Sequence, residues 1–201
     1  MLKQVRALIC FLSFILMCYS LAAADVKSIG IPFIRNYTLS DIPAGSQTWM
    51  IDISDEGLAY FANNDGMLEF DGTTWKLYPL PHGSVVRSVK ATTDGRIYAG
   101  GFNEFGYFLP GNSKSLEFYP LEHLLPPYNR DFGEVWKIHK LPQGVVFQSY
   151  EQLMIYAENQ ISVIEAPETF HFSYVVNGEL YLVDQTEGLF RLANDRLVKV
   201  P

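Results

Sequence analysis

The side chains best suited to covalent or acid–base chemistry are few in this sequence and poorly spaced for it. The four histidines, His82, His123, His139 and His171, contain no H-x-x-x-H pair, so they lack the spacing from which many zinc sites are built. Ser84, Ser88 and Ser149 stand outside any G-x-S-x-G setting, the strained turn that presents a serine nucleophile. Carboxylates can be paired on paper as a glycosidase acid and base, Asp52 with Asp55 or Glu56 with Asp65. Yet Asp55, Glu56 and Asp65 fall in Ser54-Asp55-Glu56-Gly57 and Asn63-Asn64-Asp65-Gly66, where Asp and Asn are simply good turn formers. The second of these turns also lacks the later bidentate glutamate of a calcium loop. These residues point to no catalytic group, no metal site and no cofactor.

Recognition chemistry is better represented. Aromatic rings recur beside amides, carboxylates and guanidinium groups: Gln47 and Trp49; Asn63, Asn64 and Asp65; Phe102, Asn103 and Glu104; Tyr128, Arg130 and Trp136; Tyr150 and Glu151; Gln185 and Glu187. Flat apolar rings with hydrogen-bonding neighbours suit sugars, whose C–H faces stack and whose hydroxyls need partners. Trp49, Asn64, Asn103, Arg130, Trp136 and Tyr150 are the candidate ligand-binding residues, with Trp49 and Trp136 as stacking platforms. The same residue types are enriched at protein interfaces. Residue type alone leaves the two readings open.

What must position these residues is a repeat. Trp49 to Ile53, Leu58 to Ala62, Met67 to Asp71 and Trp75 to Pro79 are short β-branched and aromatic runs, separated by Asp-Glu-Gly, Asn-Asp-Gly and Gly-Thr turns that favour tight antiparallel hairpins. The same order returns three more times, and the glycine ending the first turn falls at Gly57, Gly95, Gly144 and Gly178. A proline-containing insertion, Leu125 to Arg130, lengthens the second spacing. A four-stranded meander cannot bury both its faces alone, and radial stacking of such units is the propeller solution. A β-sandwich is the structural alternative. The expected fold is all-β, four antiparallel blades at about 47–81, 85–121, 132–165 and 170–201, preceded by a lead-in over 25–46. An edge strand is expected over 31–37. Tyr60, Phe70 and Trp75 are expected in the core between blades.

Lys3 and Arg6, an apolar run from Ala7 to Leu21 and the small residues Ala22-Ala23-Ala24 give residues 1–24 the layout of a secretory signal peptide. An uncleaved membrane anchor is the alternative, since the run approaches spanning length. Both cysteines, Cys10 and Cys18, lie in this segment. Cleavage before Asp25 would therefore leave a chain with no thiol and no disulfide. It would also leave 13 basic against 22 acidic residues, a net charge of −9, which repels the phosphates of a nucleic acid.

The unit Trp-x-Ile, Asp-x-x-Gly, aromatic strand, Asn-x-x-Gly, Leu-x-x-Phe-Asp, Trp resembles the two-component-regulator propeller repeat. Gly30-Ile31-Pro32-Phe33-Ile34-Arg35-Asn36-Tyr37 and Gly66-Met67-Leu68-Glu69-Phe70-Asp71-Gly72 are similar to the N-terminal signature and first blade of those sensors. The resemblance covers about residues 30–110 and fades beyond. It implies a periplasmic, ligand-sensing segment of a seven-bladed propeller, of which four blades form an incomplete arc. It further implies an oligosaccharide ligand, a triple-tyrosine module, a membrane helix and a kinase or DNA-binding output outside this chain. The alternatives are a protein-interaction scaffold and a propeller glycosidase or lyase.

Overall fold

The computed structural model describes residues 30, 34–112 and 115–201. The expected signal peptide and residues 31–33 of the expected edge strand lie outside these, and the described residues from 34 to 37 carry no strand. The chain divides into Met1–Asn36 and Tyr37–Pro201, and the second unit holds all the features below.

Among the described residues sixteen strands form four separate sheets, each with its strands in chain order and every pair antiparallel. Blade one comprises β1 (Thr48–Ile53), β2 (Ala59–Asn63), β3 (Gly66–Phe70) and β4 (Trp75–Tyr78). Blade two comprises β5 (Ser88–Ala91), β6 (Ile97–Gly100), β7 (Phe105–Pro110) and β8 (Leu116–Pro120). Blade three follows with β9 (Lys137–Leu141), β10 (Gly144–Gln148), β11 (Gln152–Ala157) and β12 (Gln160–Glu165). Blade four is β13 (Phe170–Val176), β14 (Glu179–Asp184), β15 (Gly188–Ala193) and β16 (Arg196–Lys199). β1 lies against β5 and β5 against β9, so the first strands are the inner ones, as in a β-propeller.

Strand alternation builds the seams between blades. In β10, Val145 and Phe147 enter the cluster shared with Tyr98, Phe105 and Val135, while Val146 between them enters the cluster with Phe170, Leu180 and Leu182. β11 does the same, with Met154 and Tyr156 on one side and Leu153 and Ile155 on the other. A period of two residues therefore lets one blade supply two cores. Tyr60, Met67, Val89 and Phe108 fill the seam between blades one and two. Each fully buried large side chain contributes on the order of 1.5–3 kcal/mol.

Polar ties cross each seam as well. Asp52 accepts hydrogen bonds from the Lys90 ammonium at 2.9 Å and from the backbone N–H of Ala91 at 2.7 Å. The Ser88 hydroxyl donates to the Val135 carbonyl at 2.7 Å. Ser173 donates to Gln148 Oε1 and lies 2.7 Å from His139 Nε2. Tight turns complete the frame. Glu158-Asn159, Asn177-Gly178 and Asn194-Asp195 have positive φ at both residues, the geometry of two-residue hairpins whose twist matches their strands. Gly100 has a packing reason: a Cβ there would stand 2.6 Å from Val135, so the second and third blades close up only over a bare backbone.

Phe70 and Trp75 do not join a seam. They stack at 4.2 Å on the side of blade one turned away from blade two, where Tyr37 packs edge-on against both. Tyr60 alone of that trio is in the inter-blade core. The alternation explains this: the register Tyr60↔Glu69 sets Phe70 on the opposite face from Tyr60. Ile51 and Ile53 on that same side are 54% and 62% exposed, and Tyr174 and Val176 on the far side of blade four are 60% and 50% exposed. The first and last blades thus do not cover one another, and the four form an open arc.

Candidate functional site

Links between blades and turns between second and third strands lie at one end of the blades, and their side chains converge there. Trp49 opens β1, Arg87 ends the link before β5, Trp136 ends the link before β9, and Tyr150 lies in the turn between β10 and β11. The Trp49 and Trp136 rings meet edge-to-face at 6.1 Å, and Trp136 lies 5.4 Å from Tyr150. The Arg87 guanidinium carbon stands 4.0 Å from the centre of Trp49 and 5.1 Å from that of Trp136, within the range of a cation–π contact to both. Its Nη2 donates to Glu134 at 2.9 Å. Lys137, His171 and Phe172 complete a hollow of about 140 Å³.

Asn64 stands behind this group. Its Oδ1 accepts from the Trp49 indole N–H at 2.8 Å, and its Nδ2 donates to Gln47 at 3.4 Å. The indole plane is therefore set by a hydrogen bond that it donates to the neighbouring turn. Arg87 Nε, Glu134 Oε2 and the Trp136 indole nitrogen are buried without a hydrogen-bond partner among the described residues, and such polar atoms ordinarily have one.

Of the six sequence candidates, Trp49, Trp136 and Tyr150 come together and Asn64 supports the first. Asn103 and Arg130 lie outside the hollow and have their polar groups committed elsewhere. Asn103 accepts from the backbone N–H groups of Phe132 and Gly133 at 2.9 and 2.6 Å and donates to Asp131 at 2.9 Å, which clamps the chain just before Glu134. Arg130 donates to the carbonyls of Leu125 and His123 at 3.1 and 3.0 Å, pinning the proline-containing insertion. Arg87, Lys137, His171 and Phe172 were not among the candidates. For Arg87 a signal existed: Trp49, Arg87 and Trp136 each stand eight residues before their turn glycines, Gly57, Gly95 and Gly144. Phe172 had no such marker: the residue eight before Gly178 is Phe170, which is fully buried.

The titratable groups are engaged in structure. Burial, then the charges of Lys137 and Lys90, push the His139 pKa down to about 4. Because Ser173 gives its proton to Gln148, the neutral His139 donates to the Ser173 oxygen, the opposite of the direction a serine nucleophile needs. Burial pushes the Asp184 carboxyl up, but backbone N–H donors from Glu187, Thr186, Glu168 and Thr169 more than offset this and hold it low. Asp52, bound to Lys90 and Ala91, belongs to a seam, and Asp55 lies in the turn beyond it. Among the described residues no group of three or more His, Cys, Asp or Glu side chains could hold a metal ion, and no helix is long and apolar enough to cross a membrane.

No family model and no curated protein matches the sequence. Solved structures do share the fold. Virginiamycin B lyase from Staphylococcus aureus superposes with a TM-score of 0.60 at 17% identity, over 77% of this chain and 56% of the lyase. The extracellular domain of a putative one-component system from B. thetaiotaomicron gives 0.58 at 14% identity, over 80% of this chain and 23% of that one. The extracellular domain of a putative hybrid two-component system from the same organism gives 0.57 at 16%, over 77% and 22%. The chain thus spans about half the length of the lyase and under a quarter of each extracellular domain. At these identities the likeness is one of fold: a β-propeller arrangement shared by an enzyme and by extracellular domains of regulators.

Proposed function

We propose that this chain is an exported, non-catalytic ligand-recognition segment of a two-component-type regulator, and that an oligosaccharide binds the hollow between Trp49, Trp136 and Tyr150. The observation that carries this reading is the convergence of three aromatic rings from links and a turn of different blades onto one open face, with Asn64 orienting the first. Partly exposed rings framed by hydrogen-bonding groups can stack a sugar and read its hydroxyls. The fold shared with extracellular domains of regulators supports a sensing role, and the apolar leader supports a periplasmic location. The signal would pass to a kinase or DNA-binding module of the same regulator, with no direct contact between this segment and nucleic acid.

The test is calorimetric titration of a glycan panel against the full chain and its Trp49→Ala and Trp136→Ala forms. Truncating a buried aromatic contact costs about 2 kcal/mol, so each variant should bind about thirtyfold more weakly. Unchanged affinity in both folded variants would remove the two rings from the site. A protein-interaction scaffold is the second reading, and one observation favours it: Tyr174, Val176, Leu189 and Val198 leave a broad apolar side on blade four of the kind that marks protein contact. Capture of a protein partner on that side, with no glycan bound at all, would decide for it.

A further inference from the structure

The charge pattern around the hollow narrows the ligand class. Five lysine or arginine side chains are half-buried among the described residues: Arg87, Lys90, Arg96, Lys137 and Arg191. Four of them face a carboxylate: Arg87 with Glu134 at 2.9 Å, Lys90 with Asp52 at 2.9 Å, Arg96 with Asp94 at 3.4 Å and Arg191 with Glu179 at 2.7 Å. Lys137 alone has neither an ion-pair partner nor a hydrogen bond among the described residues. This occurs in a chain with 22 acidic against 15 basic side chains, where a carboxylate is easy to supply. Removing a cation partly from water without a partner is costly.

Lys137 lines the hollow beside Arg87, and no carboxylate lines it. Arg87 is already neutralised by Glu134, so the hollow carries about one uncompensated positive charge on an otherwise acidic molecule. From β9 the ammonium also faces His139, whose pKa it helps to lower, and that neighbour cannot compensate it. At about 140 Å³, the hollow is smaller than the roughly 300–1,000 Å³ of a pocket that engulfs a whole ligand. It admits one ring-sized group from an open face.

We infer that the group bound here is an anionic sugar unit, a carboxylate- or sulfate-bearing residue of an oligosaccharide whose negative charge pairs with Lys137 while its ring meets the aromatic wall. This inference rests on the recognition reading above and adds the charge of the ligand to it. A charge-assisted hydrogen bond is worth about twice a neutral one, which corresponds to a preference of about tenfold or more over a neutral sugar.

The probes are a galacturonate tetramer, its carboxyl-reduced form and a galactose tetramer sulfated at O6, titrated into the full chain at low and high salt. The expected result is tighter binding of an anionic tetramer than of the reduced one by about tenfold or more, with the gap narrowing as salt is raised. The relative affinities of uronate and sulfate identify which anion the site takes. Lys137→Met should bring the affinity for that tetramer down to the level of the reduced form, and Lys137→Arg should retain the preference. Equal affinity of wild type for acidic and reduced tetramers, or a preference that survives Lys137→Met, would overturn the inference and leave the recognition reading intact. If neither anionic nor neutral tetramer binds, both fall. Should Lys137→Met fail to fold, the wild-type comparison decides alone.

Discussion

Phe147 and Tyr150 are three residues apart, yet they belong to two aromatic groups with opposite fates. Phe147 is fully buried, 4.6 Å from Phe105 and 5.8 Å from Tyr98, in the seam between blades two and three. Tyr150 is 41% exposed and stands beside Trp136 on the open face. The seam rings are held by packing from both sides. The face rings have packing on one side only and are set instead by the hydrogen bond that Trp49 donates to Asn64 and by the Arg87 cation. Ring type does not decide which role an aromatic plays. Its place decides it: in β10 alternation carries Phe147 into a seam, whereas in the turn between β10 and β11 no neighbouring blade covers Tyr150.

The sharpest way to break this contrast is to truncate one ring from each group. Phe147→Ala leaves a cavity among Phe105, Tyr98 and Met154, and such changes cost about 3–5 kcal/mol. Tyr150→Ala removes a half-exposed ring and should cost less than about 1 kcal/mol. Urea unfolding of the two variants measures both. Equal losses would show that the face rings are structural after all and that the two groups are one.

A smaller effect separates the polar tie of the last seam from its apolar packing. His139 is neutral in the folded state because burial, then Lys137 and Lys90, hold its pKa at about 4, against about 6.5 when unfolded. Between these values the unfolded chain binds a proton that the folded one does not, so this contribution is fully present above about pH 6.5 and is lost as the pH falls toward 4. From pH 6.5 to 5 the loss should reach about 1.5 kcal/mol. A His139→Gln form should lack that part of the acid sensitivity. Parallel pH profiles for the two proteins in chemical unfolding would refute the role given to this histidine.

The four-bladed all-β architecture was legible because turn glycines and β-branched runs recur in a fixed order, and a period of two is enough to assign both faces of β10 and β11. The meeting of Trp49, Trp136 and Tyr150 on one face was legible for the same reason, since all three lie where a propeller opens its loops. The hydrogen bonds of Arg130 to the Leu125 and His123 carbonyls were not legible, because a guanidinium in a loop can serve the loop's own carbonyls as readily as a ligand, and local sequence does not reveal which. Lys137 was invisible because its interest lies in the lack of a facing carboxylate among the described residues, which only the positions of the other described charges bring out. Alternation turns Phe70 and Trp75 to the side of blade one away from blade two, and what packs on them there, the lead-in residue Tyr37, was not legible because its contacts span 33 and 38 positions in the chain.

The finest distinction between the two groups concerns Asn64, which sets a face ring without touching the hollow. In a seam, an aromatic ring is fixed by its neighbours and needs no such partner. On the face, the Trp49 indole relies on its 2.8 Å hydrogen bond to Asn64 Oδ1. Asn64→Ala removes that acceptor from a partly exposed site where water can replace it, so folding stability should change by about 0.5 kcal/mol or less. Ligand affinity should respond more, because a freely turning platform must be ordered again on binding, at about 0.5–1.5 kcal/mol per side chain, or roughly two- to tenfold in affinity. Asn64→Asp keeps an oxygen acceptor at that position, gives up the long 3.4 Å contact to Gln47 and adds a negative charge that high salt screens, so at high salt it should bind nearly as wild type does. Titration of the best oligosaccharide against both variants, with unfolding measured in parallel, separates the outcomes. If Asn64→Ala and Asn64→Asp weaken binding alike, orientation of Trp49 is not what Asn64 supplies, and the face rings are held by packing just as the seam rings are.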